Sequence, residues 1–185
     1  MPKNFIEIEA RFLEINEDDL KKRLRDLGAE DLGEDIFTEI IGRRPNDPAG
    51  NNFMKIRKTK NVILLIYKNR RKHTIDGTEE VELKIDDFEK GREFMKRVGF
   101  SILRNQEKKR HTFILKGVAA DIDTWPQVPT YVELEGDSEN EIKNVAAMLG
   151  LDYAKDVFDS PGKILLERYK IPIHDLKLYT FNKIE

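Results

Sequence analysis

The sequence of 185 residues contains no cysteine. It therefore cannot form a disulfide, supply a thiolate nucleophile or build a zinc site of the cysteine type. Its three histidines, His73, His111 and His174, fall in different predicted elements, which argues against a histidine metal site. No apolar run approaches the length of a membrane-spanning helix, and the first residues lack the apolar core of a secretory signal. These absences predict a cytoplasmic protein that does not enter a membrane.

Charge of either sign is plentiful, but an excess of one sign is missing. Charged residues make up 37% of the chain, yet the net charge is only −2. Globular domains average roughly 25% charged residues. The surplus must be paired or segregated, so sequence-specific nucleic-acid binding is not expected. The length is typical of one domain with a substantial core, and we expect residues 1–185 to form a single domain.

Several stretches carry charges of one sign on alternate residues, with apolar residues between them. Side chains of a strand point to opposite faces in turn, so each set lines one face. An ordinary solvated sheet face mixes both signs along every strand. The acidic sets are Glu7 and Glu9, Glu80 and Glu82, Asp121 and Asp123, and Glu133 and Glu135; the basic sets are Lys55 and Arg57, Lys68, and Lys108 and Arg110.

The apolar residues between these charges need a hydrophobic cover on the opposite face. Amphipathic helices can supply it, which leaves the charged face to close on itself. The pattern therefore predicts a barrel or strongly curled sheet with a charged interior. The residues that need cover are Ile8, Ala10, Phe12, Met54, Ile56, Val81, Leu83, Ile85, Ile122, Val132 and Leu134.

Short connections between the predicted strands favour antiparallel pairing and an α+β fold. The stretch 42–52 is predicted to be a loop, and the tail 171–185 is expected to dock on the barrel through Ile173, Leu176, Leu178 and Phe181. Helices are predicted after Asn16 up to Gly28 and at 87–98, 138–149 and 161–170; strands are predicted near 5–13, 32–41, 52–59, 62–68, 79–85, 100–104, 107–116, 118–124 and 130–135.

In order and spacing, these charged strand residues resemble the CYTH superfamily, the triphosphate tunnel metalloenzymes. The resemblance covers about residues 4–170 and is greatest to the class IV adenylyl cyclase-like and thiamine triphosphatase-like group, because of the segments IDGTEEVE and DIDTWPQVPTYVELEG. It implies an eight-stranded antiparallel tunnel with helices outside and a Mg²⁺ or Mn²⁺ cofactor. It also implies a small-molecule triphosphate as substrate, and we expect a monomer or homodimer.

The resemblance assigns roles to individual residues. Glu7, Glu9 and Arg11 would be catalytic, although Arg11 stands where the family signature ExExK has lysine, which puts any role that needs a lysine in doubt. For Glu80, Glu82 and Lys84, ion pairs that only position the bases would leave the same pattern. The implied metal ligands are Glu7, Glu9, Glu133 and Glu135; the triphosphate ligands are Arg11, Lys55, Arg57, Lys68, Lys84, Lys108 and Arg110; the supporting acids are Glu80, Glu82, Asp121 and Asp123.

Taken alone, an ExE pair on a strand is more often a solvated edge than a metal site. Three functions remain open at this point. The first is metal-dependent hydrolysis of a nucleoside triphosphate, thiamine triphosphate or tripolyphosphate. The second is cyclisation of ATP to cyclic AMP with release of pyrophosphate. The third is non-catalytic binding of a polyphosphate or nucleotide.

Overall fold

The computed structural model describes residues 5–47 and 51–185, in which ten strands and four α-helices form an α+β fold. One turn of 3₁₀-helix spans Tyr153–Lys155. The predicted loop 42–52 lies partly outside the described residues, and its two ends belong to strands. The strands are β1 (Ile6–Glu7), β2 (Glu9–Phe12), β3 (Glu30–Arg43), β4 (Asn52–Lys58), β5 (Ile63–Arg70), β6 (Thr78–Ile85), β7 (Ser101–Leu115), β8 (Val118–Thr124), β9 (Tyr131–Glu135) and β10 (Leu178–Tyr179); the helices are α1 (Glu17–Asp26), α2 (Phe88–Arg97), α3 (Glu139–Met148) and α4 (Pro161–Glu167).

One extended segment joins the two ends of the sheet. The strand order is β1-β6-β5-β4-β3-β7-β8-β9-β2, and β1 and β2 are separated in the chain by Ile8 alone. On one side, the Phe5 carbonyl accepts from the Glu80 amide at 2.7 Å; on the other, the Ile8 carbonyl accepts from the Gly136 amide at 3.2 Å. The segment therefore bonds to β6 and to β9, and the sheet closes through it.

The closed sheet has eight walls, since β1 and β2 count as one wall and β3 to β9 supply seven. All pairings around it are antiparallel. The tenth strand, β10, lies off this path and pairs with β7 in parallel. The predicted eight-stranded antiparallel barrel is confirmed.

The structure corrects the prediction of two strands at 100–104 and 107–116. β7 is continuous, and Asn105 and Gln106, which lie between the two predicted strands, pair with Ile40 and Glu39 of β3. The Gln106 side chain is buried and donates from Nε2 to Glu39 Oε2 at 2.7 Å. A polar residue inside this barrel has a partner across the strand, so its polarity does not mark a turn.

Helices cover most of the outer face of the barrel. Leu20 and Leu24 of α1 and Ile142 and Val145 of α3 pack in one core cluster with the outward residues of β2, β8 and β9, while Met95 of α2 packs over β4. The side chains of Asn16, Asp87, Ser138 and Ser160 accept from backbone amides of the first helical turns, which satisfies donors that lack a partner within the helix.

The expected cover is missing over part of β6. Leu83 is 57% exposed and Val81 is 36% exposed. The apolar cluster under α2 includes Ile85 at the end of β6 and stops short of these two residues. The prediction that both are covered is wrong, because α2 reaches only Ile85, the last residue of β6.

The C-terminal residues form a third apolar cluster, in which Trp125 and Tyr131 pack with Leu165, Ile173 and Tyr179. The Tyr179 hydroxyl donates to the Pro126 carbonyl at 2.5 Å. Phe181, which we expected to dock with this tail, remains 43% exposed. Within the described ranges, no helix is both long enough and apolar enough to span a membrane.

Helix α2 lies so close to the sheet that any side chain at position 91 would have to displace Ile85. A Cβ there would lie 2.6 Å from Ile85 Cδ1 and 3.1 Å from Ile56 Cδ1. Gly91→Leu should therefore lower the free energy of unfolding by about 1–3 kcal/mol, measured by urea denaturation. Lys96→Leu, at an exposed position of the same helix, is the control. Equal stability of Gly91→Leu and the wild type would contradict this close packing.

Candidate functional site

The barrel encloses a cavity of about 780 Å³. Most of the residues predicted for the site line it, which brings acids from one arc of the barrel opposite cations from the other. Three predicted residues, Lys84, Asp121 and Asp123, do not line it. The predicted residues that do are Glu7, Glu9, Arg11, Lys55, Arg57, Lys68, Glu80, Glu82, Lys108, Arg110, Glu133 and Glu135.

Lys84 is an exposed residue that lies opposite Leu64, near the end of β6. Alternation along the strand placed it correctly on the face of Glu80 and Glu82, but the cavity does not extend that far. We therefore leave Lys84 out of the triphosphate-binding set.

Asp121 and Asp123 lie beneath the cations of β7 and hold them in place. Asp123 accepts from Lys108 Nζ at 2.6 Å and from Arg110 Nε at 2.6 Å, and Asp121 pairs with Arg110. Burial alone would lower the pKa of Arg110, but these two carboxylates outweigh it and the pKa is raised well above its ordinary value. The Arg110 guanidinium is therefore fixed in orientation and in charge.

Glu39 has the same role on β3, although no pattern in the sequence indicated it. It accepts from Arg57 Nε at 2.8 Å and lies 3.9 Å from Lys55 Nζ. Burial would raise the pKa of Glu39, but Lys55 and Arg57 lower it. Glu39 is a single acid in the mostly apolar stretch FTEII. Its role can be recognised only when the pairing register of β3 with β4 is known.

Phe37 fills the barrel beyond the cations. Its ring centroid lies 4.7 Å from the Arg57 guanidinium, 5.6 Å from Lys108 Nζ and 5.8 Å from the Arg110 guanidinium. These distances suit cation–π attraction. Phe37 does not line the cavity, so it marks the end at which the charged interior is filled.

Arg11 lies among four acids that line the cavity, which we call the acidic arc: Glu7, Glu9, Glu133 and Glu135. Its Nη2 is 2.7 Å from Glu9 Oε1 and also pairs with Glu133, while Nη1 donates to the Asp159 carbonyl at 3.1 Å. Burial would lower the pKa of Arg11, but Glu133 and Glu9 raise it above its ordinary value. The planar fork serves three acceptors at once, which the compact ammonium of a lysine would not reproduce.

Glu7 and Glu135 are less fully paired. Glu7 Oε1 accepts from Lys68 Nζ at 2.6 Å, whereas Glu7 Oε2 is buried without a hydrogen-bond partner among the described residues. The crowding of acids affects Glu135 most, because burial, Glu7, Glu133 and Glu9 raise its pKa to about 7. This part of the cavity carries uncompensated negative charge.

These acids are suited to bind a divalent cation, although their side chains do not converge on one point in the described residues. In residues 5–47 and 51–185, no three histidine, aspartate or glutamate side chains converge in a metal-binding group. Lys68 and Arg11 occupy several of the carboxylate oxygens. The unpartnered Glu7 Oε2 and the raised pKa of Glu135 nevertheless fit a hard cation with oxygen ligands.

A C-terminal cover, residues 157–176, lies over the end of the cavity away from Phe37. Arg70 Nη1 donates to the Phe158 carbonyl at 2.6 Å, and Leu165 and Leu166 of α4 line the cavity. Arg43 and Arg104 line the same cavity. Sequence analysis missed both, because neither belongs to a charged pair on alternate residues.

Comparison with known proteins agrees with this architecture. Residues 6–155 match the CYTH domain family model. A putative adenylate cyclase of Methanocaldococcus jannaschii is 29% identical over 137 residues, which cover 70% of this chain and 76% of that protein.

Two solved structures are similar in fold. A conserved hypothetical protein from Pyrococcus furiosus superposes with a TM-score of 0.71 at 26% identity, covering 84% of this chain and 97% of that one. A putative adenylyl cyclase from Hippeastrum with a dominant triphosphatase activity has a TM-score of 0.59 at 17% identity, covering 91% and 98%. At 17% identity the second likeness shows the fold alone.

Lys55 should contribute to ligand binding at the expense of stability. Burial, followed by repulsion from Arg57, lowers its pKa well below the ordinary 10.5. Lys55→Met removes the disfavoured buried ammonium, so the free energy of unfolding at pH 7 should rise by roughly 1 kcal/mol. Affinity for tripolyphosphate, measured calorimetrically, should fall by about 10-fold or more. Lys58→Met, at an exposed position of the same strand, should change neither quantity; a destabilised Lys55→Met would contradict the reasoning.

Glu135 should make stability depend on pH. Its folded-state pKa of about 7 lies above the ordinary 4.5, so the stability it contributes below pH 4.5 is lost as the pH rises through 7. Glu135→Gln should reduce the loss of unfolding free energy between pH 5 and pH 8 by about 1 kcal/mol, after discounting for its partial exposure. Urea denaturation in chelator-treated buffer measures this, with the surface variant Glu89→Gln as control. Parallel pH profiles for wild type and Glu135→Gln would refute the assignment.

Proposed function

Because the chain belongs to the CYTH domain family, whose members act as adenylate cyclase-like or triphosphatase enzymes, we propose that it binds a triphosphate in the tunnel and hydrolyses it with a divalent cation. The observation that carries the proposal is the segregation of charge within one closed cavity. Cations from β4, β5 and β7 face acids from β1, β2 and β9 across it.

The cations of β4, β5 and β7 that line the cavity form a basic arc, which is suited to hold the phosphates. They are Lys55, Arg57, Lys68, Lys108 and Arg110. A triphosphate carries about four negative charges, and charge-assisted hydrogen bonds from several directions fit it best. Arg57 and Arg110 offer guanidinium groups that Glu39 and Asp123 already hold in place. Because these donors do not need to reorganise, they can stabilise charge that develops at the phosphoryl group during transfer.

The acidic arc supplies the oxygen ligands. Glu7, Glu9, Glu133 and Glu135 would hold Mg²⁺ or Mn²⁺, which when bound polarises phosphoryl oxygens and lowers the pKa of water. Arg11 orients Glu9 and Glu133 from within this arc. The C-terminal cover restricts access of water to one end of the cavity, and this strengthens the electrostatic interactions inside.

A second candidate is adenylyl cyclisation, in which the ribose 3′-hydroxyl attacks the α-phosphate and pyrophosphate leaves. The name of the Methanocaldococcus jannaschii relative favours it. Both reactions use the same tunnel, and they differ in which phosphorus meets the nucleophile.

One experiment separates the candidates. The purified protein is incubated with ATP, thiamine triphosphate or tripolyphosphate, each with Mg²⁺ and with Mn²⁺, and the products are resolved by ³¹P NMR. Orthophosphate is the expected product. Cyclic AMP with pyrophosphate would replace hydrolysis by cyclisation. Tight binding without turnover would refute both reactions in favour of a binding module.

The unpartnered Oε2 of Glu7 makes Glu7→Gln the most informative site variant. Glu7→Gln keeps the shape of the side chain but removes the charge, so metal-dependent turnover should fall by about 100-fold or more. Mn²⁺ affinity, measured by calorimetry, should fall with it while the far-ultraviolet circular dichroism stays unchanged. Glu89→Gln on the surface of α2 is the matched control. Full activity and unchanged Mn²⁺ affinity in Glu7→Gln would remove Glu7 from the metal site.

A further inference from the structure

Three basic residues line the cavity where the C-terminal cover meets it, and none of them forms an ion pair with a described residue. They are Arg43, Arg104 and His174. By contrast, Arg57, Lys68, Lys108 and Arg110 each have a carboxylate within 2.8 Å. Within residues 5–47 and 51–185, neither Arg43 nor Arg104 forms a salt bridge. A buried cation without a counter-ion is costly. Arg104 is such a cation, and an anion from solution would compensate its charge.

Neutral groups hold Arg104 in place. Its Nε donates to Gln106 Oε1 at 2.7 Å, and its Nη1 donates to the Ile173 carbonyl at 3.4 Å. The side chain of Arg104 is largely buried, and Nη2 has no hydrogen-bond partner in the described part of the chain. The guanidinium is thus oriented without being neutralised, which leaves its charge available to a ligand in the cavity.

Arg43 and His174 lie close enough to Arg104 to sense its charge. Burial lowers the pKa of Arg104 to about 10 and the positive charge of Arg43 acts in the same direction, although the negative charge of Glu39 opposes both. Burial also lowers the pKa of His174, with Arg104 and Arg43 as the next causes. Arg104 remains charged at neutral pH, and no carboxylate of the described residues forms a salt bridge with it or with Arg43.

Arg43, Arg104 and His174 lie apart from the cations near Phe37, but both groups line the same cavity. Arg43 lies four residues along β3 from Glu39, the partner of Arg57, which corresponds to about 13 Å of extended chain. Between the two groups, Ile41 pairs with Lys55 on one side and with Arg104 on the other. A phosphate path can therefore run from Arg57 past Lys55 to Arg104 and Arg43.

The cavity has room for a second anion on this path. A volume of about 780 Å³ lies in the upper part of the range of roughly 300–1,000 Å³ found for sites that enclose a drug-sized ligand. Apolar side chains, among them Phe53 and Leu103, line the same cavity. Low local polarity strengthens a guanidinium–phosphate contact.

We propose that Arg43, Arg104 and His174 form a second anion subsite, beneath the C-terminal cover, that binds a phosphate group. The choice of phosphate over other anions rests on the proposed triphosphate function of the adjoining tunnel. The phosphate has two sources, the end of a chain longer than a triphosphate and the orthophosphate released by hydrolysis. Arg43 and Arg104 hold it with their guanidinium forks, and His174 closes the site from the cover.

The test measures binding without turnover. Titration calorimetry with inorganic phosphate, in chelator-treated buffer, compares the wild type with Arg43→Gln, Arg104→Gln and the surface control Arg97→Gln, whose side chain is 78% exposed. Phosphate affinity should fall about 10-fold in each cavity variant and remain unchanged in Arg97→Gln. Unchanged affinity in both cavity variants would overturn the proposal, as would a loss confined to Arg104→Gln.

Arg43→Gln keeps the test decisive if Arg104→Gln fails to fold, because the Arg43 side chain holds no described residue by an ion pair. A second titration separates the two sources. If the subsite takes the end of a chain, tetrapolyphosphate should bind about 10-fold more tightly than tripolyphosphate in the wild type but not in Arg43→Gln. If it takes the product, orthophosphate and tripolyphosphate should bind together, one of each. Either result supports the subsite; competition between orthophosphate and tripolyphosphate without a tetrapolyphosphate advantage overturns it.

This measurement also separates failure of the subsite from failure of the proposed function. If ³¹P NMR detects no turnover but phosphate binding depends on Arg43 and Arg104, the hydrolase proposal fails and the subsite stands. If tripolyphosphate is hydrolysed but phosphate affinity is the same in all variants, the subsite fails alone.

Discussion

Inside the barrel, opposite charges pair with one another, and without this pairing the charged interior could not be buried. Burying an ammonium, guanidinium or carboxylate costs several kcal/mol, and the interior is tolerable only where each charge has a partner. Asp123 beneath Lys108 and Arg110, and Glu39 beside Arg57, provide that compensation on the basic arc. The resulting cations are rigid, and rigid donors are what a highly charged substrate requires.

Compensation is incomplete at two places, and these are the places to which we assign ligands. Around Glu7 and Glu135 the excess is negative, which fits a metal cation. Around Arg43 and Arg104 the excess is positive, which fits a phosphate group. A barrel that served only as a scaffold would be more stable with both excesses neutralised.

The sequence predicted what depends on alternation along one strand and missed what depends on pairing between strands. The alternation of side chains along a strand was enough to place Glu7, Glu9, Lys55 and Lys108 on the inner face, because this alternation is a local property of each strand. Glu39 and Gln106 matter through their partners across β3, β4 and β7, and no local pattern reports such partners. The prediction that Lys84 lines the cavity is wrong for a related reason. The alternation of side chains does not show how far along a strand the cavity extends.

Arg11 joins two parts of the molecule that are far apart in the chain. One side of its guanidinium meets Glu9 and Glu133 of the acidic arc, and the other meets the carbonyl of Asp159 in the C-terminal cover. Any event that alters the charge of those acids therefore alters the strength with which the cover is fastened. By thermodynamic reciprocity, if a cation bound at those acids weakens this contact, loosening the cover weakens the binding of the cation by the same factor.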